Sequence, residues 1–244
     1  MRPILAFFFA PFFAPFFAAI LFAPMLVAAP AAAQEAEEES AAEDAAADLP
    51  PECPPPPALG EEAGETAFAT ERVALETEAG TIVFEIESER APVTAANFLR
   101  YIEAGRLENA AFYRASKKAD GGAKGFVQFG LRQHPDYVFD PIAHEPTSET
   151  GLTHEDGAIS MVRGAPGTAD ADFLIMVGDQ PAWDARDDGT PGYAVFGRVV
   201  EGMETVKTIW NGAIDPDEGE GVLKGEILAE EVDVTGARVT DPSS

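Results

Sequence analysis

"VALETEAGTIVFEIE", Val73 to Glu87, decides the fold. Apolar and polar residues alternate on each side of Ala79-Gly80, and Ile82, Phe84 and Ile86 fall on one face. Extended chain points successive side chains to opposite faces, so a period of two marks a half-buried strand. Two such runs around a glycine-containing turn predict a β-hairpin.

Downstream, "SERAPVTAANFLRYIEAG" (Ser88–Gly105) changes period. Val93, Phe98, Tyr101 and Ile102 fall near one helical face, and Gly105 is placed as a stop. Short strand candidates follow in "AAFYRA", "GFVQFG", "GAISMV", "DFLIMV", "YAVFGRVV" and "AEEVDVTGARV". A second short helix fits "GMETVKTIW", with Met203, Val206, Ile209 and Trp210 on one stripe. There are no internal repeats. Many short strands with few helices predict an all-β closed sheet, since closure leaves no exposed edge, with the helices plugging its ends. A small barrel fills with its own side chains, so a ligand must bind on the outer face.

Charge and composition bound the partners. With 16 basic and 43 acidic residues the chain carries a net charge of −27, which excludes nucleic acid as a partner. Cys53 is the one cysteine, so neither an internal disulfide nor a cysteine-rich metal site is available. Cys53 reads as an incidental exposed thiol.

Upstream of the hairpin, residues 1–33 run from Arg2 through a long apolar stretch to "PAAAQE", the pattern of a secretory signal cleaved after Ala33. Pro11, Pro15 and Pro24 interrupt the apolar run, although its length also suits an uncleaved membrane anchor. The chain is therefore expected to be periplasmic or secreted, and to touch a membrane only if that segment is retained. Residues 34–70 are acidic and rich in proline and alanine, a composition with too little apolar surface to order itself, and predict a linker. The folded domain is placed at 71–240.

Few signatures of chemistry are present. The chain has no G-x-S-x-G, no phosphate-binding glycine loop and no H-E-x-x-H. His134, His144 and His154 are evenly spaced among prolines, which predicts loops rather than convergent ligands, so no metal is expected. The acidic loop "DPDEGEGVLKG" (Asp215–Gly225) reads as a solvated turn. The cations are more informative, because Arg114, Lys117, Lys118, Lys124 and Arg132 cluster in a chain with few of them. Arg114 directly follows Phe112-Tyr113 in a strand-like run, where a rigid guanidinium would lie beside an apolar wall.

"AAFYRA", "GFVQFG", "GAISMVRGAPGTADADFLIMVGDQPAWD" and "GYAVFGRVVEGMETVKTI", in that order, resemble the cyclophilin-type peptidyl-prolyl isomerases, in their exported bacterial branch. "PIAHEPTSETGL" and "VFGRVVEGME" add to the likeness, which spans Val73 to Thr240. The resemblance implies an eight-stranded antiparallel barrel capped by two short α-helices, without cofactor, acting as a monomer on proline-containing segments of exported proteins. It assigns the catalytic roles to Arg114, in "FYR", and to Gln128, in "GFVQFG". It puts Phe112, Phe126, Val162, Arg163, Asp172, Leu174, Trp183 and Tyr193 around the bound peptide. Three departures stand out: Phe129 replaces a glycine, Asp172 an amide and Leu174 a phenylalanine.

The implied chemistry needs no acid, base or metal. A peptide bond resists rotation by about 18–20 kcal/mol through C–N resonance, and X–Pro isomers exchange over tens to hundreds of seconds. An enzyme must bind the twisted imide better than either planar form. Arg114 donating to the proline nitrogen, whose lone pair returns on twisting, favours that geometry, while Gln128 holds a peptide carbonyl. Asp172 is expected to pair with Arg114 and weaken it as a donor, and Leu174 to leave a less aromatic pocket. Measurable but reduced isomerase activity follows. The alternative is a cyclophilin-fold module that binds Pro-containing segments, or acts as a holdase, with little turnover.

Overall fold

The computed structural model describes residues 68–132 and 134–240; the segment read as a signal or anchor, Cys53 and nearly all of the segment read as a linker lie outside them. Eight strands occupy Glu71–Thr77 (β1), Gly80–Ile86 (β2), Ala111–Ala119 (β3), Lys124–Gly130 (β4), Ala158–Met161 (β5), Asp172–Val177 (β6), Val195–Glu201 (β7) and Ile227–Thr240 (β8). They close in the order β1-β2-β7-β5-β6-β4-β3-β8, every pairing antiparallel. The hairpin predicted around Ala79-Gly80 is β1–β2, with Thr77 opposite Gly80. Thr77 braces the turn, its hydroxyl donating to the Gly80 carbonyl at 2.7 Å and accepting from Ala79 N–H at 3.1 Å.

The barrel is solid. Phe84, Phe112, Phe129, Phe173 and Phe196 are fully buried. Phe129 alone stacks on Phe112 at 4.7 Å and lies 5.2 Å from Phe173. Helix Pro92–Glu103 (α1) drives Phe98 onto this cluster, 5.0 Å from Phe173 and 5.5 Å from Phe196. Such aromatic contacts add about 0.5–1.5 kcal/mol each beyond the area they bury. Of the predicted helical face, Phe98, Tyr101 and Ile102 are buried but Val93 is 41% exposed; Thr94, Ala95 and Asn97 take the inner positions instead. Val93 is five residues before Phe98, a spacing that does not return to the same side of a 3.6-residue helix.

Two further α-helices are present among the described residues. Thr147–Thr150 (α2) is a single turn, and Met203–Trp210 (α3) buries Val206 and Ile209. The "PIAHEPTSETGL" segment has a structural role: Glu145 accepts from Val93 N–H at 3.0 Å and Thr94 N–H at 2.7 Å, placing a carboxylate on the exposed N–H groups that begin α1.

Candidate active site on the outer face of β3, β4 and β6

With the interior filled, chemistry is confined to the outward side chains. On β4 the alternation sends Val127 and Phe129 inward and Phe126 and Gln128 outward. Gln128 lies opposite Arg114 of β3 and Leu174 of β6, and Leu174 lies opposite Ser160 of β5. This row of Arg114, Gln128, Leu174 and Ser160 crosses four strands and brings together residues up to 60 positions apart.

A bulge shapes its first member. The pairing of β3 shifts between Phe112 and Arg114 against both β4 and β8, leaving Tyr113 as an extra residue. Tyr113 and Arg114 therefore both serve the outer face, while Phe112 turns inward. Phe112 is thus corrected from the predicted peptide-binding set: it is fully buried and stacked on Phe129. The aromatic wall under Arg114 is Phe126, whose ring centre lies 4.9 Å from the guanidinium carbon.

The acid that holds Arg114 is likewise not the one predicted. Asp172 does not pair with it. Glu226, just before β8, accepts from Arg114 Nε at 2.8 Å and from Nη2 at 2.5 Å. The same carboxylate accepts from the Ser116 hydroxyl at 2.7 Å and from Lys118 Nζ at 2.8 Å. Glu226 is only 2% exposed. Burial alone would raise its pKa, but the donors Lys118, Ser116 and Arg114 together hold it below the ordinary carboxylate value. The third engaged N–H of Arg114, on Nη1, donates to Gln128 Oε1 at 2.9 Å. A guanidinium offers five N–H donors, so two remain, on a side chain 15% exposed.

Gln128 is fixed from both ends. Its Oε1 accepts from Arg114 and its Nε2 donates to the Tyr113 hydroxyl at 2.5 Å, which settles which end of the amide is which. Tyr113 in turn donates to Asp172 Oδ1 at 3.1 Å, and the Arg132 backbone N–H reaches the same oxygen at 3.3 Å. Burial, and then the charge of Asp172, push the phenol pKa of Tyr113 up, keeping it a donor. Burial also raises the Asp172 carboxyl, to about 6. Gly130 makes this seat possible: a Cβ there would stand 2.2 Å from Asp172 Oδ1.

On the other side of Gln128 lies the apolar surface. Phe126 and Leu174 form its floor, 4% and 2% exposed. Trp183 sits on a short turn, Pro181–Trp183, with its ring 5.2 Å from Phe126 and 4.7 Å from Tyr193. The turn is anchored by Gln180, whose side-chain amide donates to the Gly125 carbonyl and whose backbone N–H donates to His154 O at 2.7 Å. A hollow of about 220 Å³ opens beside Phe126 and Trp183. Val162 and Arg163 follow β5, and Val162 N–H donates to the Asp172 carbonyl at 2.9 Å. The Arg163 guanidinium lies over the Tyr193 ring, its carbon 4.7 Å from the centroid, and donates to the Gly192 carbonyl.

The histidines are dispersed, and among the described residues no group of three or more His, Cys, Asp or Glu side chains is disposed to hold a metal. His154 is buried between Asp184, 2.6 Å from Nδ1, and the Ser160 hydroxyl, 3.0 Å from Nε2. Burial lowers its pKa despite Asp184. It fastens the Trp183 turn to β5 behind the apolar surface. Sequence reasoning missed Glu226 and this role of His154. The acidic loop read as a solvated turn also contributes to the site, since Lys118 Nζ reaches the Val222 carbonyl at 3.0 Å and Glu226 closes the loop.

Comparison with known proteins gives a consistent result. Residues 72–232 match the family described as cyclophilin type peptidyl-prolyl cis-trans isomerase/CLD. A Streptomyces antibioticus peptidyl-prolyl cis-trans isomerase is 36% identical over 56% of this chain and 81% of its own. Peptidyl-prolyl cis-trans isomerase B of Escherichia coli is 32% identical over 67% of this chain and 99% of its own. Among solved structures, a Cryptosporidium parvum cyclophilin type isomerase crystallised in the presence of the dipeptide Ala-Pro superposes with a TM-score of 0.55 at 20% identity, over 70% of this chain and 99% of that one. That last likeness is one of fold.

Proposed function

The chain belongs to the cyclophilin-type peptidyl-prolyl cis-trans isomerase family, and from that premise we propose that Arg114 and Gln128 form its catalytic pair. The carrying observation is the hold on Arg114: two N–H bonds to buried Glu226, one to Gln128, and the ring of Phe126 beneath. A guanidinium fixed before substrate arrives needs little reorganisation as the imide twists. Its two remaining N–H groups serve the proline nitrogen and the neighbouring carbonyl. The pyrrolidine ring rests on Phe126, Leu174, Trp183 and Tyr193, and Val162 and Arg163 line the path of the peptide backbone. Gln128, with its oxygen committed to Arg114, has one amide hydrogen left for the peptide carbonyl.

No bond breaks, so the rate follows from differential binding alone. A charge-assisted hydrogen bond contributes about 1.5–3 kcal/mol, or roughly ten- to a hundredfold in rate. Desolvation of the ring by the apolar floor adds to that. Exchange spectroscopy on an Ala-Pro peptide tests the reading. It fails if high enzyme concentrations leave the cis–trans exchange at its uncatalysed rate.

Leu174 favours a second reading, a module that holds Pro-containing segments with little turnover, because its aliphatic side chain offers the ring less contact than an aromatic one. Tight peptide binding without exchange enhancement would select it.

The N-terminal pattern supports placing the protein in the exported bacterial branch, acting as a monomer on exported proteins in the periplasm or outside the cell. Cell fractionation with N-terminal sequencing tests this; a mature chain beginning at Gln34 is expected, and a cytoplasmic full-length chain would refute it.

A further inference from the structure

A second hollow, of about 380 Å³, opens beside Tyr113, which accepts from Gln128, and beside Ile227, which pairs with Arg114 across β3 and β8. Its walls are Tyr113, Leu223 and Ile227, and charged groups enter it from Asp172, Glu218 and Arg132. Asp172 is 93% buried by its 7% exposure, yet it lines this space. Both of its hydrogen bonds, from Tyr113 and from Arg132 N–H, fall on Oδ1, and Oδ2 has no hydrogen-bond partner among the described residues. The cation present is already engaged: the Arg132 guanidinium pairs with Glu231 and lies over the Tyr113 ring, 4.4 Å from its centroid.

We propose that this hollow is a side-chain subsite that takes a lysine of the proline-containing peptide. The proposal rests on the reading of the Arg114 face as the peptide site. Leu223, Ile227 and the Tyr113 ring suit the four-carbon stem of lysine, which packs on apolar surface while its head seeks polar partners. The Asp172 Oδ2 and the exposed Glu218 carboxylate supply acceptors for the ammonium group. A buried carboxylate lacking a donor on one oxygen gains more from such a partner than an exposed one does.

The subsite is also wired to the catalytic amide. Gln128 donates to Tyr113, and Tyr113 donates to Asp172. A cation on Asp172 keeps that carboxyl ionised and so strengthens the acceptor at the end of the chain. Asp172 titrates among Tyr113 of β3, Arg132 after β4, Asp170 before β6 and Glu218 of the acidic loop. Its raised pKa, about 6 without ligand, means that the carboxylate is present above that value and lost as pH falls. A bound ammonium would bring the midpoint back down.

The test is a peptide series around Ala-Pro, with lysine, norleucine or glutamate placed in turn at each of the two flanking positions on either side. Norleucine keeps an apolar stem and removes the charge. At pH 7.5 and low salt, lysine at one position is expected to raise kcat/KM about tenfold over norleucine, the scale of one charge-assisted hydrogen bond. The ratio should fall toward one in Asp172→Asn, and in the unaltered protein as pH is lowered to 4.5. A ratio near one at every position in the unaltered protein overturns the subsite, as does a preference that persists in folded Asp172→Asn. If Asp172→Asn does not fold, the pH series on the unaltered protein decides. If no peptide is turned over, the isomerase reading fails separately, and fluorescence anisotropy with the lysine and norleucine peptides still decides the subsite.

Discussion

Two buried acids flank Arg114, and they have opposite fates. Glu226 on the β8 side receives donors from Arg114, Ser116 and Lys118, and its pKa lies below the ordinary value. Asp172 on the β6 side receives one phenol and one backbone N–H, and burial lifts it to about 6. Both expose little surface, 2% and 7%. Asp172 nevertheless lies deeper and has fewer donors, so burial prevails there, whereas at Glu226 the donors Lys118, Ser116 and Arg114 outweigh it. The β8 flank is a permanent anion that fixes the arginine. The β6 flank is an acid that changes state near neutral pH.

The sharpest way to break this contrast is to neutralise the permanent anion. Glu226→Gln keeps the shape but leaves the guanidinium without its counter-charge, and a loss of about 3 kcal/mol in unfolding free energy is expected. kcat/KM should fall with it, because Nε and Nη2 lose their charged acceptor. Denaturant titration and exchange spectroscopy read the two effects, and a fully stable, fully active variant would remove Glu226 from the account. Next comes Arg114→Ala, where activity should fall ten- to a hundredfold, following the ~1.5–3 kcal/mol of a charged hydrogen bond. Peptide affinity measured by anisotropy should fall much less. Equal losses of both would make the arginine a ground-state contact only.

On the other flank, Asp172→Asn should stabilise the protein at pH 7.5 by about 3 kcal/mol. The sign follows from the raised pKa. Between about pH 4 and 6 the folded carboxyl keeps a proton that the unfolded chain has released. The contribution of Asp172 to stability is therefore full below pH 4 and lost as pH rises through 6. The advantage of the asparagine variant should accordingly vanish at pH 4, and an advantage independent of pH would contradict the assigned cause. The smallest effect concerns the floor rather than the acids: Leu174→Phe should raise kcat/KM about threefold, through ~0.5–1 kcal/mol of aromatic contact with the substrate ring and Phe126. A fall instead would mean that the site beside Ser160 is too tightly packed to accept the larger ring.

The strands were legible because their alternation is regular: Ile82, Phe84 and Ile86 are all fully buried, as a period of two requires. The row of Arg114 and Gln128 was legible through a resemblance of local motifs. The bulge at Tyr113 was not, since nothing in "AFYRA" marks an extra residue, and a regular strand would have set Phe112 and Arg114 on the same face. Glu226 was hidden for a different reason. It stands 112 positions from Arg114, in an acidic loop of a chain with 43 acidic residues, where one more carboxylate carries no signal. Register between β3 and β8 makes it particular, and register is a property of the closed sheet.

The phenylalanine-filled interior has one last consequence. A barrel with an empty lumen can dent inward when something presses on its wall. Here Phe129 stands directly behind the surface that carries Gln128, backed by Phe112 and Phe173. The backbone under the row of Arg114 and Gln128 has packed rings behind it, so an imide twisting at the proposed site would meet an anvil, and the yielding parts would be the side chains and loops around the rim.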